Sequence, residues 1–203
     1  MFYKDQLILT GQINDVGSYI RSNVDDSYRI GIEFDSKWNV SPKFSWAVNA
    51  SLSDHKIKEF REFFDEYDSN FDWIGQQENV YKNTDIAFAP RFIGGNELAY
   101  KPFKGFEAAL LSKYVSKQYL DNTSNENRRL DAFFVNDIRL SYQFQAWGLR
   151  NIGLGLQVNN ILNEKYESNG YTWGYIYDGN RVTENFYFPQ AGTNFMFSLN
   201  VKF

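Results

Sequence analysis

His55 is the only histidine in the chain, and it follows Ser53 and Asp54, so three residue types of a nucleophilic triad stand side by side. The spacing argues against catalysis. On an alternating strand Ser53 and His55 share a face while Asp54 points away, which leaves no carboxylate to orient the imidazole. Gly153-Leu154-Gly155 opens like a dinucleotide fingerprint, yet it sits in a strand-like stretch and lacks the third glycine and the following helix. Carboxylates gather at Asp65, Glu66, Asp68 and Asp72, and several oxygens on one loop can hold Ca²⁺. Read as an EF-hand, the stretch fails: Trp73 takes the place of the sharply turning glycine and Asn79 that of the bidentate glutamate. A solvated acidic loop is expected there. No catalytic residue, metal site or cofactor is expected.

Two further groups of residues have binding rather than reactive chemistry. Between Glu167 and Phe188 lie Tyr171, Trp173, Tyr175, Tyr177, Phe186, Tyr187 and Phe188. Rings with a polar tip suit a membrane interface or the packing of a loop, and they also stack on a sugar or an aromatic ligand. Trp173 and Tyr175, farthest from the neighbouring strand ends, are with Tyr177 the ligand-contact candidates. The second group is charged: Arg29, Glu33, Lys113, Lys117, Asp137 and Arg139 fall on the polar side of alternating segments. They serve either a ligand path or, with more weight, pairing across a wall or with a domain inside it.

The elements that carry these residues are strands. In 203 residues there is room for one domain, and no compositional break suggests two. Cysteine is absent, which excludes disulfides and thiolate metal sites. A net charge of -4 without a basic stripe makes nucleic acid an improbable partner. Nineteen Phe, 14 Tyr and 5 Trp make up 19% of the chain although the mean hydropathy is negative. No apolar run approaches the roughly 20 residues of a membrane helix, and Met1-Phe2-Tyr3-Lys4-Asp5 does not open a secretion signal. An exported chain of this sequence is therefore expected to be mature or a fragment.

Period-2 segments are the dominant pattern. The clearest is the last, where Phe195, Phe197, Leu199, Val201 and Phe203 oppose Asn194, Met196, Ser198, Asn200 and Lys202. Similar alternation marks Ile152 to Asn159, Phe134 to Phe144 with Asn136 misplaced, Phe106 to Lys117, Phe44 to Ser53 and Tyr28 to Asp35. Ile86 to Tyr100 is interrupted at Gly94-Gly95, where a bulge is expected. Phe2 to Thr10 is the weakest of eight strands. The connections at 40–42, 102–105 and 146–148 are short, and those near 11–26, 61–84, 120–131 and 162–188 are long. Strict alternation of short and long connections is the signature of an up-and-down outer-membrane barrel, with tight periplasmic turns and long extracellular loops. Phe203 at the end of an apolar face would be the signal read by the barrel assembly machinery.

Val158-Asn159-Asn160-Ile161-Leu162-Asn163-Glu164-Lys165-Tyr166, a Tyr/Trp-rich stretch and a last strand ending Val201-Lys202-Phe203 together resemble the closing portion of TonB-dependent outer-membrane receptors. Lys113-Tyr114-Val115-Ser116-Lys117-Gln118-Tyr119-Leu120-Asp121-Asn122 and Leu98-Ala99-Tyr100-Lys101-Pro102 resemble segments of such receptors in the Bacteroidota. The resemblance covers essentially the whole chain. It implies an all-β antiparallel barrel of about 22 strands, of which residues 1–203 are the C-terminal part, without the plug domain or the TonB box. It also implies energy-coupled uptake of a siderophore, haem, cobalamin or glycan, in contact with outer-membrane lipid, with the rest of the barrel and with its plug. Two alternatives stay open: a complete eight-stranded outer-membrane barrel acting as adhesin, anchor or small enzyme, and a soluble β-barrel or sandwich that binds a carbohydrate or lipid.

Overall fold

The computed structural model describes all residues except 1, 5–6, 14–18, 25, 147 and 203. It is all-β among the described residues, with fifteen strands. Eight make one antiparallel wall in chain order: β1 (Phe2–Lys4), β4 (Ser27–Ser41), β5 (Phe44–Tyr67), β7 (Phe92–Tyr100), β8 (Phe106–Val115), β11 (Phe133–Phe144), β12 (Asn151–Asn159) and β15 (Asn194–Lys202). The other seven lie in the long connections: β2 (Leu7–Ile13) with β3 (Tyr19–Asn23), β6 (Trp73–Thr84) against the end of β5, β9 (Gln118–Tyr119) with β10 (Arg129–Leu130), and β13 (Glu167–Tyr177) with β14 (Asn180–Pro189).

Register turns the period-2 pattern into two chemically different faces, because residues paired across a ladder point the same way. Trp46 pairs with Leu98, Leu98 with Leu110, Leu140 with Leu156 and Leu156 with Phe197, giving rows of apolar side chains across the wall. Ile32, Leu52 and Phe195 on this face are more than half exposed, Phe195 to 77%. The opposite face carries Glu33, Asp35, Glu97, Lys113 and Arg139. Asn136, which breaks the alternation of β11, pairs with Ser112, and Ser112 with Asn96, so three adjacent strands place small polar residues in one row. The misfit is shared rather than isolated.

Several boundaries differ from the sequence expectation. The stretch 61–84 is largely strand, because β5 continues to Tyr67 and β6 returns along it. Clustered charges at Lys58, Glu59, Arg61 and Glu62 hide its alternation. The stretch 162–188 likewise contains the β13–β14 hairpin, whose tip is Asp178-Gly179. Gly94 and Gly95 make no bulge, since pairing runs without a shift on both sides of β7. These glycines clear space instead: a Cβ at Gly95 would stand 2.9 Å from Asn49 Oδ1, and one at Gly94 3.0 Å from the Phe92 ring. Residues 86–91 precede the strand rather than belong to it, and Ile86 is buried under the long connections. The first segment divides into β1, paired with β4, and β2, paired with β3.

Buried side chains collect at the long-connection end. Val24, Ile57, Phe60, Ile86 and Ala89 form one cluster, with Ile8 and Tyr81 packed against it. Val115, Phe133 and Val135 form another on the polar side of the wall, closed by Ile93 and Tyr166. The long connections thus build a layer with an interior of its own on one end of the wall.

Candidate functional site

The ligand-contact candidates all lie on β13, where residues 171, 173, 175 and 177 share one face by alternation. Their hairpin is held in place by a short parallel pairing to the end of β5, Ile176 opposite Glu66 and Tyr177 opposite Tyr67. That pairing brings in two rings from the supposed loop, Tyr67 and Phe71. Trp173 and Tyr175 have ring centroids 4.9 Å apart, Tyr175 meets Phe71 at 5.8 Å and Tyr67 edge-on at 6.0 Å, and Phe71 meets Tyr177 at 5.0 Å. The Tyr177 hydroxyl donates to the carbonyl of Ser69 at 3.0 Å, which spends its polar tip on the neighbouring hairpin. Trp173 stays 49% exposed, so of the three it offers most surface. Tyr171 stacks on Phe186 at 4.8 Å and extends the same face. Along β13, Tyr177 stands nearest the hairpin tip, ahead of Tyr175 and Trp173.

The acidic tip that precedes β6 has structural employment for two of its carboxylates. Asp68 Oδ1 accepts the amides of Asn70 and Asp72 at 2.8 and 3.0 Å, and this turn sets Phe71 at φ 68° with its ring toward Tyr175 and Tyr177. Asp65 Oδ1 accepts the Trp73 indole N–H at 3.2 Å and the Gln76 amide at 3.0 Å. Among the described residues no three His, Cys, Asp or Glu side chains are placed to hold a metal ion.

Beneath the other face of the hairpin is a buried ionic node that sequence reasoning missed. Arg128 is 2% exposed, and its Nη1 donates to Glu62 Oε1 at 2.7 Å and to Asp121 Oδ2 at 2.6 Å. Its Nη2 donates to Thr183 Oγ1 at 3.2 Å. Arg181 donates to Glu62 Oε2 at 3.2 Å and stacks over the Phe64 ring at 4.0 Å, while the Tyr81 hydroxyl donates to Glu62 at 2.9 Å. Burial pushes the Tyr81 hydroxyl above its ordinary pKa, which keeps it a donor. One guanidinium therefore ties three connections, from β5–β6, β8–β11 and β13–β14. Gly174 lets β13 approach, since a Cβ there would lie 3.0 Å from the Phe64 ring. Nothing in the sequence separates Arg128 from Arg129 beside it, which pairs with exposed Glu126 and Asp131.

The segment 85–91 is fixed in the same layer. Asp85 pairs with Lys56 at 2.9 Å and Arg91 at 2.8 Å. Burial raises its pKa, and the hydrogen bonds from Arg91 and Lys56 more than offset this, so it stays below the usual carboxylate value. His55 is buried and its Nδ1 accepts the Ile86 amide at 3.1 Å. The Ser53 hydroxyl donates to the carbonyl of Pro90, and Asp54 accepts from the Tyr28 hydroxyl. The three residues of the imagined triad thus have three separate partners. Gly153 and Gly155 lie inside β12, opposite Asn200 and Ser198.

On the polar face Arg139 spans β8 to reach Glu97 at 2.7 Å, an ion pair across the wall. Asp137 accepts the amide of Asn160 at 2.8 Å, and Lys117 pairs with Glu126 outside the wall. Asn160 organises the Val158–Tyr166 motif: its side-chain amide donates to the carbonyls of Glu164 and Ala191, and its Oδ1 accepts the Glu164 amide. Both Asn160 and Asn163 have positive φ, as the tight turn requires. Tyr166 then stacks on Phe133 at 4.3 Å. The motif clamps the points at which the hairpin connection leaves β12 and returns to β15. Phe203 lies outside the described residues.

Comparison with known proteins gives this arrangement a family. The model of the TonB dependent receptor-like beta-barrel matches residues 2–161. No protein of curated function matches the chain. Among solved structures the chain is similar to the siderophore receptor PiuA from Acinetobacter baumannii, with a TM-score of 0.70 and 14% identity over 98% of this chain and 24% of that one. It is similar to the ferric-catecholate import receptor Fiu from E. coli K12 in its closed form, with a TM-score of 0.61 and 15% identity over 100% of this chain and 24% of that one. The ferric yersiniabactin uptake receptor FyuA from Yersinia pestis gives a TM-score of 0.59 and 18% identity over 86% of this chain and 23% of that one. At these identities the likeness is one of fold, and the chain spans about a quarter of the length of each receptor. The family and fold are those of transport receptors rather than enzymes, and the chain belongs to the TonB-dependent receptor β-barrel family.

Proposed function

We propose that residues 1–203 are the C-terminal barrel portion of an outer-membrane receptor for energy-coupled nutrient uptake. The observation that carries this is the open wall. β1 pairs only with β4 and β15 only with β12 among the described residues, so the eight strands form an arc with two free edges rather than a closed eight-stranded barrel. A free apolar edge such as β15 calls for another strand. About 14 further strands and a plug supply it in this reading. The apolar face then meets lipid, the polar face meets the plug, and the C-terminal strand with Phe203 engages the barrel assembly machinery. Reading the gene upstream of the Met1 codon tests this directly: an open frame encoding those strands is expected, and a signal peptide immediately ahead of Met1 would overturn it.

The exposed rings of β13 serve as a ligand contact in this reading, with Trp173 foremost and Tyr175 and Tyr177 behind it. Rings of this kind stack on a sugar or on an aromatic ligand. A stacked ring contributes about 1 kcal/mol. Trp173→Ala in the full-length receptor is expected to weaken nutrient binding roughly fivefold at unchanged surface abundance. Unchanged affinity would remove the hairpin from the binding site.

A further inference from the structure

Cations stand at both ends of the wall; those of the long connections are mostly paired, although exposed Lys82 and Lys165 are in no ion pair among the described residues. At the long-connection end Lys56, Arg61, Arg91, Lys117, Arg128 and Arg181 are each in an ion pair with a carboxylate. At the other end each short turn carries an exposed cation outside any ion pair, Lys43 between β4 and β5, Lys104 between β7 and β8 beside the paired Lys101, and Arg150 between β11 and β12. None of these three has a carboxylate partner among the described residues. The one carboxylate in the recess of about 460 Å³ beside the first two turns is Glu107, and Lys101 holds it at 3.1 Å.

Directly beside these turns the apolar face is aromatic. Trp38 and Trp46 pair across β4 and β5 with ring centroids 5.2 Å apart, both exposed. Phe103, in the second turn, is exposed and stacks on Phe106 at 5.2 Å, with Tyr142 edge-on at 6.0 Å. Trp and Tyr rings, apolar with a polar tip, settle at the boundary between acyl chains and headgroups, and long basic side chains beside them reach into the headgroup layer. Successive turns stand two strand spacings apart, roughly 10 Å, so each cation can meet a different headgroup. A row of unneutralised cations under an aromatic belt is complementary to phosphate that carries net negative charge.

We propose that the short-turn rim is a docking surface for anionic phospholipid, with Lys43, Lys104 and Arg150 pairing with lipid phosphates and the Trp38, Trp46, Phe103 and Phe106 rings seated on the upper acyl chains. The inference rests on the reading of the wall as membrane-spanning. The test uses the full-length receptor in nanodiscs of equal phosphatidylglycerol and phosphatidylcholine, with retained lipids counted by native mass spectrometry. Wild type is expected to retain phosphatidylglycerol in preference. The triple variant Lys43→Gln, Lys104→Gln, Arg150→Gln is expected to lose about tenfold of that preference, while Lys58→Gln, which breaks an ion pair with Asp26 at the other end, keeps it. Equal retention of the two lipids by wild type, or an undiminished preference in the triple variant, overturns the proposal with the barrel reading intact. A receptor that does not enter the nanodisc bilayer overturns the barrel reading and the proposal together.

Discussion

The wall and the layer of long connections are made by the same chain and solve opposite problems. The wall has large side chains on its apolar face, such as Ile32 at 74% exposure, and no second layer behind them. The connection layer hides Ile57, Leu130 and even Arg128 almost completely. Between its two free edges the wall is ordered mainly by backbone ladders, and its apolar face has no second layer to cover it. In the layer, order comes from side chains that leave water. The difference shows where substitutions are felt. In the wall, position along the strand decides the cost. In the layer, connectivity decides it.

The largest break in that comparison is Arg128→Met. Removing the guanidinium leaves Glu62 and Asp121 without their buried partner, a loss of about 3–5 kcal/mol. Hydrogen exchange should rise in β13, β14 and residues 116–132, with β11 and β12 unchanged, and a rise that spreads into the wall would mean the two regions are one unit. Next comes Leu199→Arg on the apolar face, expected to cost about 2–4 kcal/mol when folding is measured in a bilayer, against almost nothing for Ser198→Arg on the polar side. Equal costs would remove the distinction between faces. Asn160→Ala, which strips three hydrogen bonds from the clamp between β12 and β15, is expected to cost roughly 1–3 kcal/mol and to show as proteolysis between 160 and 193 before any change in the wall.

The smallest effect is one of pH. The Glu126 carboxyl is held down to about 2 by hydrogen bonds from Lys117, Tyr119 and Arg129. Its folded value lies below its ordinary one near 4.5, so its contribution is present above that value and is lost as pH falls toward 2. Asp85 shifts in the same direction. Exchange protection of residues 117–131 should therefore hold from neutrality to about pH 5 and weaken below it, with Glu126→Gln removing most of the dependence.

The wall was legible in the sequence because its physics is local and periodic. Phe197, Leu199 and Val201 announce their face by spacing alone, and the alternation of short and long connections follows from an up-and-down path. The β5–β6 extension was not legible, since Lys58, Glu59, Arg61 and Glu62 interrupt the apolar rhythm that would have marked it. The candidate rings on β13 were visible, but Tyr67 and Phe71 were not, because a parallel pairing between residues over a hundred positions apart leaves no local trace. Arg128 was invisible for the same reason. Its partners Glu62, Asp121 and Thr183 come from three connections, and burial of a charge depends on all of them arriving.

That parallel pairing of Ile176 and Tyr177 with Glu66 and Tyr67 also bears on time. Between the two segments lie β7, β8, β11 and β12, all joined by neighbour-to-neighbour ladders that can zip in sequence order. Closing the long gap first would cost loop entropy that no contact has yet repaid. The docking of the β13–β14 hairpin onto β5 is therefore expected to follow the registering of the strands that lie between them. Its native geometry then serves as a record that the wall below was built correctly.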